Sequence, residues 1–206
     1  MGFYRTHILP WLLDRAMRRK TVAPQRKELL ADVGGEVLEI GFGSGLNLPF
    51  YSPAVKRITA VEPSAGMNRR AAPRVARSPI EVTTLALDAS GRLPLQDTSF
   101  DSAVSTWTLC SIPDVPAALR EVHRVLRPGG RFFFLEHGLA PDAKVARWQH
   151  RLTPLMRRLG GGCHLDRDIG AIVRASPLGV QRCDTYYLPG ESRLGGYMYR
   201  GVAIKT

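Results

Sequence analysis

The stretch Val37-Leu38-Glu39-Ile40-Gly41-Phe42-Gly43-Ser44-Gly45-Leu46-Asn47 decides how the rest of the chain is read. Its first four residues make a short, mostly apolar strand, and three glycines at alternate positions follow at once. Glycine lets the backbone turn sharply and lets a ligand lie against main-chain atoms. A strand that runs into such a loop and then opens a helical segment begins a nucleotide-type βα unit. The spacing is not that of the dinucleotide fingerprint G-x-G-x-x-G. The third glycine comes one residue early, and Glu39 sits two residues before the first. A carboxylate there repels a pyrophosphate and suits a cation. The loop predicts a ligand that carries positive charge and no phosphate.

Outward from this loop, short apolar strands alternate with helices. Ile58 to Val61, Ile80 to Leu87, Phe100 to Thr106 and Arg131 to Leu135 read as further strands. Ser64 is placed to cap one helix and Asp114 another, the latter with Pro116 in its first turn and Leu119, Val122, Val125 and Leu126 as its apolar stripe. Arg127-Pro128-Gly129-Gly130 breaks that helix and leads into the next strand. Residues 4–32 read mainly as helix with a break near Thr21 to Pro24, Arg147 to Leu159 as a late helix, and Val180 to Leu188 and Tyr197 to Ile204 as two late strands antiparallel to each other. The alternation predicts an α/β fold. Its core is a doubly wound, Rossmann-like, seven-stranded, mostly parallel sheet with one antiparallel strand, in a single domain with an N-terminal helical extension. Residues 1–33 are expected to form the helical cap, 36–137 the ligand-binding core, and 138–206 the substrate-side helix, a lid loop and the final strands.

Strand ends supply the next signals, because α/β sheets bind ligands along the edge where parallel strands finish. Glu62-Pro63 ends the second strand, 21 residues past Gly41, where a carboxylate can accept from both hydroxyls of a ribose. Asp88-Ala89 ends the third, where an acid can accept from an adenine amino group. Met67, one turn into the following helix, is placed to pack on the adenine face. Carboxylates at the ends of three successive strands point to an adenosine-containing ligand.

The chain has 206 residues, 44% apolar and 23% charged, which suits one soluble domain with a full core. Met1-Gly2 with Thr6 fits a loose acylation pattern, and a cytoplasmic location is expected. The net charge of +11 is uneven. Residues 1–35 and residues 141–174 each hold seven Lys/Arg against three Asp/Glu, whereas 36–140 hold eleven against ten. Two basic flanks of this kind aid solubility or attract an acidic small molecule or an anionic membrane. Nucleic acid is disfavoured, since aromatics are not interleaved with the basic residues. Cys110, Cys163 and Cys183 show neither a disulfide framework nor zinc spacing, so no metal ligands are expected.

Leu38 to Asn47, Glu62-Pro63-Ser64, Asp88, Leu93-Pro94 through Ser99-Phe100-Asp101, and Leu126-Arg127-Pro128-Gly129-Gly130 together resemble the motifs of the class I S-adenosylmethionine-dependent methyltransferases. Trp107-Thr108-Leu109-Cys110-Ser111-Ile112, Glu136-His137-Gly138 and Gly162-Cys163-His164-Leu165 are similar to small bacterial relatives of the methyltransferase-like thiol methyltransferases. The resemblance implies S-adenosyl-L-methionine as cofactor, S-adenosyl-L-homocysteine as product, and an in-line displacement at the methyl carbon. Cofactor contacts are expected at Glu39, Gly41, Gly43, Gly45, Asn47, Glu62, Pro63, Met67, Asp88, Ala89, Thr106 and Trp107. His137, after the fifth strand, and His164, in a glycine-rich loop, are the candidate bases. The acceptor stays open among a small-molecule thiol, the amine of a phosphatidylethanolamine-type lipid and a quinol carbon. A noncatalytic binder of S-adenosylmethionine is the alternative of a different class.

Overall fold

A computed structural model describes residues 2–206; Met1, and with it the start of the acylation pattern, lies outside them. The strands are β1 (Gly35–Ile40), β2 (Val55–Val61), β3 (Glu81–Leu85), β4 (Phe100–Thr106), β5 (Leu126–His137), β6 (Gly179–Tyr187) and β7 (Tyr197–Ile204). They form one sheet in the order β3-β2-β1-β4-β5-β7-β6. β1 to β5 run parallel, and β7 lies antiparallel to both β5 and β6, so it is the single reversed strand. The order reverses between β1 and β4. That is the topological switch point where an open α/β sheet leaves a crevice.

Among the described residues six α-helices surround the sheet: α1 (Leu9–Met17), preceded by a π-helical turn Tyr4–Ile8, α2 (Ala23–Leu30), α3 (Ala65–Val75), α4 (Val115–Val125), α5 (Ala143–Leu159) and α6 (Ile169–Arg174). Alternation along the strands divides the core. Leu38, Ile40, Phe132 and Phe134 pack with Leu119 and Val122 of α4 and Ile169 of α6. Val37, Val104, Phe133 and Leu135 pack on the other face with Leu29 and Leu30 of α2 and Ala71 of α3. Both faces are therefore covered, as the continuous apolar strands require. The two anticipated caps form: the Ser64 side chain accepts from the Met67 amide at 3.3 Å, and Asp114 from that of Ala117 at 2.9 Å.

Four details differ from the sequence expectation. The glycine loop opens no full helix; only a single 3-10 turn, Leu48–Phe50, follows it. Pro53 biases the residue before it toward extended backbone, and Tyr51 is already extended, so a helix cannot propagate. The third strand stops at Leu85, leaving Asp88 three residues beyond its end. Arg127 to Gly130 loop out within β5, because five residue steps from Leu126 to Arg131 face only two from Phe100 to Ser102. α6 has no counterpart in the sequence reading; Asp168 caps it, accepting from Ala171 N–H at 2.8 Å.

Candidate active site

A cavity of about 510 Å³ opens at the β1/β4 switch point, within the size range of small-molecule sites. Its lining joins two groups of residues, one from the loops after β1, β2 and β3, the other from the ends of β4 and β5 and the loop after α5.

The first group is held by the backbone. Gly41 N–H donates to the Val61 carbonyl at 2.8 Å, tying the loop to β2. Gly41 has φ of +72°, and a Cβ there would land inside the Thr108 side chain. Glu62 is buried; one carboxylate oxygen accepts from Gly43 N–H and the other from Ser64 N–H, both at 2.8 Å. Burial pushes its pKa up, against these two bonds. Each oxygen keeps acceptor capacity, and the residue borders the cavity with Pro63, Met67, Asp88 and Ala89. Asp88 is exposed and accepts from Ser90 N–H at 2.7 Å.

Glu39 and Gly45 do not line the cavity. Glu39 points to the α2 side of the sheet, where its oxygens accept from Asn47 Nδ2 at 2.8 Å and the Tyr51 hydroxyl at 2.6 Å. Burial pushes Glu39 up to about 7, opposed by those bonds and by Arg26. Asn47 does border the cavity; its Nδ2 also donates to Thr106 Oγ1 at 3.1 Å, and its Oδ1 accepts from Arg26 Nε at 2.8 Å. Arg26, unnoticed in the sequence, is buried at the cavity wall, its guanidinium 4.7 Å over the Trp107 ring and its Nη1 without a partner. Burial lowers its pKa to about 10.

Asp14, also unnoticed, fastens α1 over the glycine loop. It accepts from Ser44 Oγ at 2.7 Å and pairs with Arg74 at 3.0 Å and Arg18 at 3.2 Å. Leu9, Leu13 and Met17 of α1 consequently face the cavity, while Met156 of α5 borders it from the other basic segment.

The second group starts at Trp107, whose φ of +50° is uncommon for a bulky residue. Glu136 holds this turn: its carboxylate accepts from Thr108 N–H at 2.8 Å and Ser105 Oγ at 2.7 Å. Burial pushes Glu136 up to about 8. The turn delivers Cys110 to the cavity wall beside His137, the last residue of β5, and Cys163, from the loop after α5. The cysteine sulfurs and a His137 ring nitrogen lie within 4.8 Å of one another, all three residues buried. His137 Nε2 is 3.3 Å from Cys163 Sγ, and its Nδ1 has no partner. Sequence spacing concealed this cluster, since 27 residues separate Cys110 from His137 and 26 separate His137 from Cys163. His164 lies off the cavity lining: its backbone N–H donates to the Cys110 carbonyl at 2.8 Å, and its Nδ1 sits 3.1 Å from the same oxygen.

A crevice at the switch point, with glycines on one side and the buried Glu62 carboxylate on the other, marks a ligand-binding α/β protein. Residues 38–134 match the family model described as a methyltransferase domain. The rat thiol S-methyltransferase TMT1B is 34% identical over 77% of this chain and 70% of its own length. The human thiol S-methyltransferase TMT1A is 35% identical over 81% and 74%. The fold matches that of the N-methyltransferase NodS of Bradyrhizobium japonicum bound to S-adenosyl-L-homocysteine, with a TM-score of 0.69 at 18% identity, over 93% of this chain and 90% of the other. The chain belongs to the class I S-adenosylmethionine-dependent methyltransferases. It is an enzyme of that class, its cofactor is S-adenosylmethionine, and its acceptor is a small molecule.

Proposed function

We propose that this enzyme transfers the methyl group to the sulfur of a small thiol. One observation supports the reading: a single cavity is bordered both by Glu62 and Met67 and by Cys110, His137 and Cys163, which lets a donor and an acceptor meet in it. In this reading Glu62 accepts from the ribose hydroxyls, Asp88 from the adenine amino group, and Met67 packs on the adenine. Gly41 and Gly43 let the donor lie against the backbone, with Gly45 shaping the loop beneath. Arg26 offers its unpartnered Nη1 to the donor's carboxylate, and Asn47, Pro63, Ala89, Thr106 and Trp107 complete the wall. Glu39 acts through Asn47 as a positioning residue. The chemistry asks mainly for alignment and exclusion of water, because the leaving group is a neutral thioether. A thiol near its ordinary pKa of about 8.5 ionises far more readily than an alcohol. His137 faces the acceptor space; His164, held on a backbone carbonyl, takes no part. The kinship with thiol S-methyltransferases supports the sulfur acceptor.

Incubation with methyl-tritiated donor and a panel of thiols, amino-lipids, quinols and phenols tests this. Label should appear in methyl thioethers. Label confined to a phospholipid headgroup or a quinol would replace the thiol.

A membrane-surface location is a second part of the proposal. Among the described residues no helix is long and apolar enough to cross a membrane. Ile8, Trp11 and Leu12 near the N-terminus and Trp148, Leu155 and Leu159 of α5 are nonetheless exposed. The two groups are tied together by the Tyr4 hydroxyl on the Leu159 carbonyl at 2.8 Å, and Arg15 and Arg151 sit over the two tryptophans. Apolar side chains among arginines suit an anionic interface. Co-sedimentation with anionic but not zwitterionic vesicles is the expected result; no binding to either removes the proposal.

A further inference from the structure

We propose that Cys110, His137 and Cys163 bind a zinc ion in the acceptor half of the cavity, leaving its fourth position to the sulfur of the acceptor. The inference rests on the thiol-transfer reading above for the identity of that fourth ligand, and on this chain's own geometry for the metal.

Two cysteines and a histidine form a three-ligand set of the kind that keeps one position open in catalytic zinc sites. Thiolate and imidazole together favour zinc over calcium, magnesium or manganese, which take oxygen ligands. The spacing fits. Ligand atoms on a tetrahedral zinc, with bonds of roughly 2.0–2.3 Å, lie about 3.5–3.8 Å apart. Here all three are mutually within 4.8 Å, and Cys163 Sγ lies 3.3 Å from His137 Nε2.

The surroundings argue in the same direction. Each ligand comes from a separate, well-anchored segment: the Glu136-held turn, the end of a central strand, and a loop bonded to the Cys110 carbonyl. All three ligand residues are buried, so the set is shielded from bulk water. The cluster also borders the cavity rather than the sealed core, so a fourth ligand can enter.

The chemistry balances without any oxidant. A thiol that binds the metal releases its proton to solvent and becomes a thiolate. Its sulfur lone pair then forms a bond to the methyl carbon as the bond from that carbon to the sulfonium breaks, the electron pair staying on the departing thioether. Sulfonium cation and thiolate anion become two neutral thioethers.

The full-length protein, purified without chelator, should carry close to one zinc per chain by elemental mass spectrometry. Cys110→Ser and Cys163→Ser should lower zinc affinity by more than about a hundredfold, whereas Cys183→Ser, on β6 and outside the cavity, should leave it unchanged. Cobalt substitution should give thiolate charge-transfer bands that vanish in the first two variants. Calorimetry with S-adenosylhomocysteine checks folding in each variant and reads the donor site separately. Zinc content equal in wild type and in folded Cys110→Ser and Cys163→Ser proteins would overturn the site, as would a Cys110–Cys163 disulfide in zinc-free protein isolated with activity intact. A loaded, cobalt-responsive site in a protein that methylates no thiol would keep the metal and discard the thiol.

Discussion

The two halves of the cavity, donor and acceptor in the proposed mode, are built in opposite ways. The donor half is local: the glycine loop, the Glu62-Pro63-Ser64 turn and the start of α3 span 27 residues, and backbone bonds to Glu62 fix its key carboxylate. The acceptor half is assembled from three segments spread over 54 residues, and its side chains meet only because β4, β5 and the loop after α5 end at one place. A family can therefore keep one cofactor site while changing its acceptor by altering single residues in distant loops. The halves touch where Asn47 Nδ2 donates to Thr106 Oγ1 at 3.1 Å, and most tightly at the joint where Gly41 faces Thr108 and the Thr108 hydroxyl donates to the Gly41 carbonyl at 3.2 Å.

Breaking that joint should have the largest effect. Gly41→Ala places a Cβ in the space of the Thr108 side chain, on backbone at φ +72° that L-residues seldom adopt. Thr108 must move, and with it the turn that carries Cys110. A loss of about 3 kcal/mol or more is expected, a melting temperature lower by roughly 6–12 °C, and weakened binding of both donor and zinc. A variant that melts like wild type yet loses one ligand only would show that the halves are independent even at this contact.

The next effect concerns what lies beneath the donor half. Glu39 keeps its proton up to about 7 in the folded chain, chiefly through burial, against an ordinary value of 4.5. Between those values the folded state binds more protons than the unfolded one. This carboxyl therefore favours folding fully below the unfolded value, and that contribution is lost as pH rises through about 7. The limit is about 3 kcal/mol, since each unit is worth about 1.4 kcal/mol. Urea melts from pH 4.5 to 8 should show Glu39→Gln gaining on the wild type by up to that amount. A constant difference between the two proteins would mean that Glu39 does not titrate in this window.

Glu62→Ala separates the halves more cleanly. It removes the acceptor for two backbone amides and, in the proposed mode, for two ribose hydroxyls. Donor affinity should fall by about 1–3 kcal/mol, while zinc content and the thiol panel stay as in wild type. Calorimetry and elemental analysis on one preparation read both. Unchanged donor affinity would move the ribose contact to another residue.

What the sequence made legible follows the same division. Strand positions, the antiparallel pairing of the two late strands, both helix caps and the glycine loop are local or periodic features, and each was readable from a short window; the order of the strands in the sheet was not. Glu39 sits off the cavity lining for a period-two reason: Leu38 and Ile40 share one face of β1 and Val37 the other, so Glu39 points with Val37 toward α2, behind Asn47. Cys110, His137 and Cys163 were visible as residue types, yet their spacing argued against a metal set because no pair is close in the chain. Arg26 and Asp14 looked like members of a basic and an ordinary helix face. Only their partners, Asn47 and Ser44, reveal their roles, and both lie at least 21 residues away.

The smallest expected effect tests whether Met67 belongs to the donor half or merely to the packing of α3. The residue is only partly buried, in a helix whose buried positions are Gly66 and Ala71, so it adds little to the core. Its terminal methyl lies opposite Gly43, where even an added Cβ would remain 3.8 Å away. Met67 lines the cavity, so its thioether can meet a flat ring bound there. Sulfur–aromatic contact contributes about 0.3–1.5 kcal/mol, and the lost methylene area adds a similar amount. Met67→Ala should therefore raise the dissociation constant of S-adenosylhomocysteine by about fivefold, with melting temperature nearly unchanged. A lowered melting temperature with unaltered affinity would assign Met67 to the helix core and leave the adenine face to Asp88 and Ala89.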